Sequence, residues 1–163
     1  MTYLLDTSIL IELLRTRPDA MTWLTKSLKD TILVSTVCEA EVYEGIYREK
    51  PENIEKKKKI FKELLSKLSG STPFDSDQAD IAGQIRAQLA IKGSPIGDLD
   101  VLIAAAAIAN SATLVTLNPN HFSKIQGLKV EGIWTIIIQS RDISFPYLTK
   151  IGQYIILYIN VQD

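Results

Sequence analysis

The chain has 163 residues, 46% hydrophobic and 23% charged, with a formal net charge of −1; this suits one compact domain with a real core and does not demand a second. The near-neutral balance excludes a strong basic field, so a phosphate-bearing partner would need a local basic patch or a bound cation. One cysteine, Cys38, excludes an internal disulfide and a Cys-based zinc site, and the N-terminus lacks the basic and small-residue pattern of a signal peptide; no apolar run reaches the roughly 18 residues of a spanning helix, so a cytoplasmic protein with no membrane role is expected.

The first predicted element is Tyr3-Leu4-Leu5, a buried-strand pattern that stops at Asp6. Thr7 and Ser8 then introduce an amphipathic helix from Ser8 to Leu14. Pro18 suits the first turn of a helix running to Lys29, Ile32 to Val34 reads as a strand, and Thr36 to Glu49 as a helix. Pro51 separates that helix from the next, Glu52 to Leu68, which Gly70 ends. Within it, Lys56 to Lys59 accompany the apolar stripe Ile60, Phe61, Leu64, Leu65 and Leu68, so the lysines read as a solvated face, with an RNA-contacting patch as the alternative. Thr72 to Phe74 adds a short strand, followed by a helix from Ser76 to Lys92, a loop at Gly93-Ser94-Pro95, and a helix from Leu99 to Asn110. Thr113 to Val115 and Leu128 to Val130 complete the strands, with a turn at Asn118-Pro119-Asn120 between them. Strands alternating with helices argue an α/β fold with a parallel sheet. The last stretch, residues 135–163, differs in kind: Thr135 to Ile138 and Tyr154 to Val161 are β-prone and apolar at nearly every position. Such a segment is expected to be covered by the domain or paired with another chain, which divides the chain into a domain at 1–134 and an extension at 135–163.

Three acids recur in one context. Asp6 follows the first strand, Glu41 lies in the helix after the second, and Asp100 starts the apolar helix before the fourth. All three fall at the carboxyl edge of a parallel sheet, where ligands bind. Carboxylates held together repel unless a cation neutralises them, and oxygen donors favour a hard ion, Mg²⁺ or Mn²⁺. Each acid also has a plainer reading. Asp6 could cap the following helix, although Thr7 or Ser8 can do so; Glu41, like Glu39 and Glu44, could simply face solvent. Of Asp98 and Asp100, Asp98 fits the N-cap better, which leaves Asp100 in the first turn, where the helix dipole favours its charge. His121, the only histidine, lacks the companions of a triad or zinc site and reads as structural, and Cys38 reads as a core residue.

The blocks LLDTSILIELL, STVCEAEVYEGI and IRAQLAIKGSPIGDLDVLIAAAAIANSATLVTLNPNHFSKIQGLKV, in that order, resemble the PIN domain, in particular the VapC-type toxins of toxin–antitoxin pairs. The resemblance runs from Thr2 to Trp134 and has no counterpart for the tail. It implies a three-layer α/β/α sandwich with a central parallel sheet and Mg²⁺- or Mn²⁺-dependent cleavage of RNA to 5′-phosphate and 3′-hydroxyl ends. It also selects Glu41 over Glu39 and Glu44 and matches Asp6 and Asp100 to the family's acids. Asp6 and Asp100 are then metal ligands, with Glu41 binding directly or through water. Thr116 and Asn118 fall at the T-x-N/D position, which adds Asn118 to the catalytic set; many relatives carry a fourth acid there, and the neutral Asn118 weighs against a full second metal site. Arg15, Arg48, Arg86 or the lysine run are candidates to hold the RNA backbone. The implied partners are an RNA substrate, a small cognate antitoxin lying in a groove with a basic side chain toward the acids, and a second copy in a homodimer. Two rivals remain. One is a catalytically silent PIN-fold scaffold that binds RNA or protein. The other is a phosphatase using Asp6 as nucleophile, which would need an acid at Ser8.

Overall fold

The computed structural model describes residues 1–133; the β-prone stretches Thr135 to Ile138 and Tyr154 to Val161, and with them the role proposed for the tail, lie outside the described residues. The elements run β1 (Thr2–Leu5), α1 (Thr7–Leu14), α2 (Pro18–Lys26), β2 (Thr31–Ser35), α3 (Thr36–Tyr47), α4 (Pro51–Leu65), β3 (Gly70–Thr72), α5 (Ser76–Ile91), α6 (Asp98–Ala109), β4 (Thr113–Thr116), α7 (Pro119–Phe122) and β5 (Lys129–Gly132). The five strands form one sheet in the order β3-β2-β1-β4-β5, every neighbouring pair parallel. Helices flank the sheet in an α/β/α sandwich, as the alternating pattern predicts.

Strands apolar at successive positions belong in the middle of a covered parallel sheet. Leu4, Leu5, Val34, Leu114 and Val115 are accordingly all fully buried, and Leu5 pairs in register with both Val34 and Val115. The chain moves outward from β1 to β2 and β3, then crosses back to β4 and β5 on the other side. The order therefore reverses between β1 and β4, and the carboxyl ends of these strands border the crevice where ligands bind in such sheets.

Helix α6 is buried nearly all round: Val101, Ile103 and Ala104 through Ala107 are each at most 2% exposed. The alanine run gives α5 a close approach on one side while α6 lies over β1 and β4. On the other flank Tyr43 and Phe61 meet edge to face at 5.1 Å and join α3 to α4. Trp23 packs edge to face on Tyr3 and donates from Nε1 to Glu131 Oε1 at 2.6 Å, tying α2 to the far edge of the sheet.

Most boundaries fall within a residue or two of expectation, and the larger differences have local causes. Helix α2 stops at Lys26, not Lys29: the Ser27 amide is shared between the Trp23 and Leu24 carbonyls, and the chain then turns, with the Asp30 N–H donating to the Ser27 carbonyl. Helix α4 begins at Pro51, whose missing N–H is no loss at a first helical position, and ends at Leu65, not Leu68, where the Lys67 and Leu68 amides turn onto the Leu64 and Leu65 carbonyls. The third strand occupies Gly70–Thr72 in place of Thr72 to Phe74: Pro73 has no N–H for the ladder, and Gly70 adopts φ +142, open only to glycine. Among the described residues no helix is long and apolar enough to cross a membrane.

Candidate active site

Asp6 is delivered to the crevice by one further rung of the sheet, its N–H donating to the Val115 carbonyl at 2.9 Å. It stands at the N-cap position of α1, yet its carboxylate caps nothing. Oδ2 instead accepts from Ser8 Oγ at 2.5 Å and from Thr116 Oγ1 at 2.7 Å. Each hydroxyl is in turn an acceptor: Leu117 N–H donates to Ser8 Oγ at 3.2 Å, and Asn118 N–H to Thr116 Oγ1 at 3.1 Å. Two relays of the same construction, amide to hydroxyl to carboxylate, thus hold a side chain only 8% exposed, whose charge would otherwise be costly to bury. No hydrogen bond among the described residues falls on Oδ1.

Glu41 arrives from α3, where the Ser35 hydroxyl accepts the Cys38 N–H and sets the first turn. Cys38, Val42 and Ile46 face the core, and Glu41 lies beside them, half-buried, accepting a short hydrogen bond from Thr7 Oγ1. Burial pushes the Glu41 carboxyl above its ordinary range; the Thr7 bond opposes this, and the negative charges of Asp6 and Asp100 add to it. The three acids therefore share one electrostatic neighbourhood. Cys38 lies behind them, its thiol pushed up to about 11, chiefly by burial and further by Asp6 and Glu41.

Asp100 lies in the first turn of α6, but the cap expected of Asp98 falls to Gly97. Gly97 has the extended backbone a cap position needs, with φ −59 and ψ 145, and its carbonyl accepts the Val101 N–H at 3.1 Å. Asp98 is already helical, and its carboxylate pairs with Arg86 of α5 at 3.0 Å. Asp100 Oδ2 lies 2.9 Å from His121 Nε2. His121, read from sequence as structural, is therefore a direct neighbour of a candidate ligand; the two are 21 positions apart, and no local pattern announces the pairing. Asn118 is exposed at the N-cap position of α7 and reaches the cluster through its backbone amide.

Among the described residues no three ligating side chains are already drawn into one metal-binding group. Each acid is instead tied to its own neighbour: Asp6 to Ser8 and Thr116, Glu41 to Thr7, Asp100 to His121. The oxygen donors of these three carboxylates fit a hard divalent ion, whose charge would offset their mutual repulsion.

The basic residues proposed to hold RNA are mostly engaged locally. Arg15 pairs with Glu12, Arg48 with Glu44, Arg86 with Asp98, Lys57 with Glu49 and Lys58 with Glu55. Lys58 also lies over the Tyr47 ring at 5.7 Å, so two of the four lysines of the run, Lys57 and Lys58, are engaged on the helix face. Beside Glu41, a groove of about 310 Å³ opens between α1, α3 and α4, with Ile11, Leu14, Val42 and Ile46 as its apolar lining and Arg15 and Lys57 at its margin.

The family model of the PIN domain matches residues 3–128. The chain is 36% identical over 136 residues to the ribonuclease VapC2 of Rickettsia felis, covering 80% of this chain and 97% of that protein. It is 29% identical over 129 residues to the tRNA(fMet)-specific endonuclease VapC of Shigella flexneri, covering 79% and 96%. Among solved structures, VapBC2 from Rickettsia felis bound to a DNA fragment from its promoter superposes with a TM-score of 0.75 at 34% identity, over 82% of this chain and 99% of that one. FitAcB from Neisseria gonorrhoeae superposes with a TM-score of 0.72 at 26% identity, over 83% and 100%. A match over most of the chain, carried on a parallel sheet whose switch point collects the acids, means that this chain belongs to the PIN domain family.

Proposed function

We propose that this chain is a metal-dependent endoribonuclease, the toxin of a toxin–antitoxin pair, with Asp6, Glu41 and Asp100 as its active site. The observation that carries the reading is that all three acids stand at the carboxyl edge of the PIN sheet, where the negative charges of Asp6 and Asp100 reach the Glu41 carboxyl and raise it. Asp6 and Asp100 would hold the cation, Mg²⁺ or Mn²⁺, with Glu41 completing the set directly or through water. When bound, that ion supplies positive charge for a phosphate oxygen and lowers the pKa of water. The residues do the rest. Glu41, its carboxyl raised by burial and by the charges of Asp6 and Asp100, is held by the Thr7 hydroxyl at the edge of the site, where it can reach the cation directly or through water. The Ser8 and Thr116 hydroxyls hold the Asp6 carboxylate by its Oδ2, and no hydrogen bond among the described residues falls on Oδ1. Asn118 contributes its amide to the Thr116 relay, and no role is assigned to its side chain.

Against the silent-scaffold alternative, all three acids are present and the charges of Asp6 and Asp100 reach Glu41. The groove beside Glu41 supports the antitoxin reading: an amphipathic segment would lay its apolar face on Leu14 and Val42 and carry a basic side chain to Glu41. Homodimerisation is proposed on family grounds, with light scattering as its measure.

The test is cleavage of a panel of transfer and ribosomal RNAs with and without Mg²⁺ or Mn²⁺. Asp6→Asn and Asp100→Asn are each expected to lower the rate by roughly a thousandfold or more, the loss of several kcal/mol of transition-state stabilisation, while the circular dichroism spectrum stays that of the parent. Wild-type cleavage by either variant would refute the assignment.

A further inference from the structure

We propose that His121 is a positioning residue for Asp100: its imidazole, with the space left by Gly97, decides which carboxylate oxygen is offered to the cation. This rests on the metal reading above and goes beyond it in naming what orients the ligand. An ionised carboxylate can only accept, so the 2.9 Å contact is an Nε2–H of His121 donating to Asp100 Oδ2. Oδ2 is thereby occupied, and Oδ1 carries no hydrogen bond among the described residues.

Gly97 supports the same orientation from the other side. A Cβ there would lie 2.7 Å from Asp100 Oδ2 and 3.6 Å from Cγ. Its backbone, at φ −59, would accept any side chain, so space for the carboxylate is what calls for glycine. Asp100 in the first turn of α6 otherwise has a competing partner, the unsatisfied N–H groups of its own helix end. The imidazole that outcompetes them is itself pinned. Its ring meets Phe122 edge to face at 5.6 Å, and Phe122 is 2% exposed. Pro119, which opens α7, sits against Gly132, where a Cβ would fall 2.8 Å from the proline ring. The edge of the sheet therefore holds α7, α7 holds His121, and His121 holds Asp100.

Mn²⁺ binding to the full chain, followed by the electron paramagnetic resonance signal of the free ion, tests this without reference to cleavage. His121→Ala and Gly97→Ala should each weaken Mn²⁺ binding by roughly ten- to a hundredfold, as loss of a residue supporting a ligand does, with thermal midpoints within about 2 °C of the parent. His121→Gln, whose amide can place an N–H near the position of Nε2, should restore most of the affinity. Asp100→Asn is the reference. If it abolishes binding while His121→Ala leaves affinity unchanged, this inference fails alone; if Asp100→Asn itself leaves affinity unchanged, the metal reading fails. A nitrogen coupling to bound Mn²⁺ that vanishes in His121→Ala would make His121 a ligand and overturn its positioning role. Should His121→Ala not fold, Gly97→Ala carries the same expectation, and an unchanged affinity there overturns the proposal.

Discussion

Three consecutive polar residues after β1 serve two different acids. Asp6 takes hydroxyls from Ser8 and Thr116, Thr7 donates to Glu41, and Ser8 returns to Asp6. In the metal-free protein the Glu41 carboxyl is raised, so folding favours its protonated form; the associated stability is full below the ordinary glutamate range and is lost as pH rises through the raised value. Glu41→Gln should therefore raise the thermal midpoint of metal-free protein at neutral pH by about 1–2 °C, and the gain should vanish below about pH 4. A midpoint lowered at pH 7 would show that the Thr7 bond outweighs the burial of charge. Cys38, with its thiol pushed up to about 11 and its side chain fully buried, should be inert to a chromogenic disulfide reagent at pH 8. It should react only as denaturant unfolds the chain.

Helix α7 has only four residues and owes its place to what it rests on, because so short a helix has almost no stability of its own. Pro119 meets Gly132 too closely for a methyl group. Gly132→Ala should therefore cost about 1–3 kcal/mol, the usual penalty of overpacking, read as a lower denaturant midpoint, and should disturb both the Asn118 amide and His121. Unchanged stability would mean that α7 slides freely and that the chain of support proposed for Asp100 is slack. At this scale periodicity and breakers in the sequence mark α5 and α6 to within a residue, whereas at β3 Pro73 and Gly70 place the strand two residues before the position its composition suggests. The cap of α6 is ambiguous in the sequence for a related reason. Asp, Asn, Ser and Gly all suit an N-cap, and only the backbone shows that Gly97 takes the position while Asp98 turns to Arg86.

Across the whole molecule, a cation bound only by the native site must stabilise the fold. At about a hundred times its Kd, Mn²⁺ should raise the thermal midpoint by roughly 5–10 °C in a chain of this size, and the shift should disappear in Asp100→Asn; no shift in the parent would contradict a native metal site. The sequence by itself determined the α/β class, the parallel sheet and the run of acids that follow its strands, because burial patterns, prolines and caps act over a few residues. The choice of Glu41 over Glu39 and Glu44 came from the resemblance, since spacing alone left them equal. Only the tertiary structure decided the contacts among distant positions: Thr116 on Asp6 across 110 residues, Thr7 on Glu41 across 34, and His121 on Asp100 across 21. β4 beside β1 brings Thr116 to Asp6, β2 beside β1 brings Glu41 of α3 to Thr7, and α6 and α7 on either side of β4 in the chain bring Asp100 to His121; a contact created by strand order or by packing has no period in the sequence from which to be read.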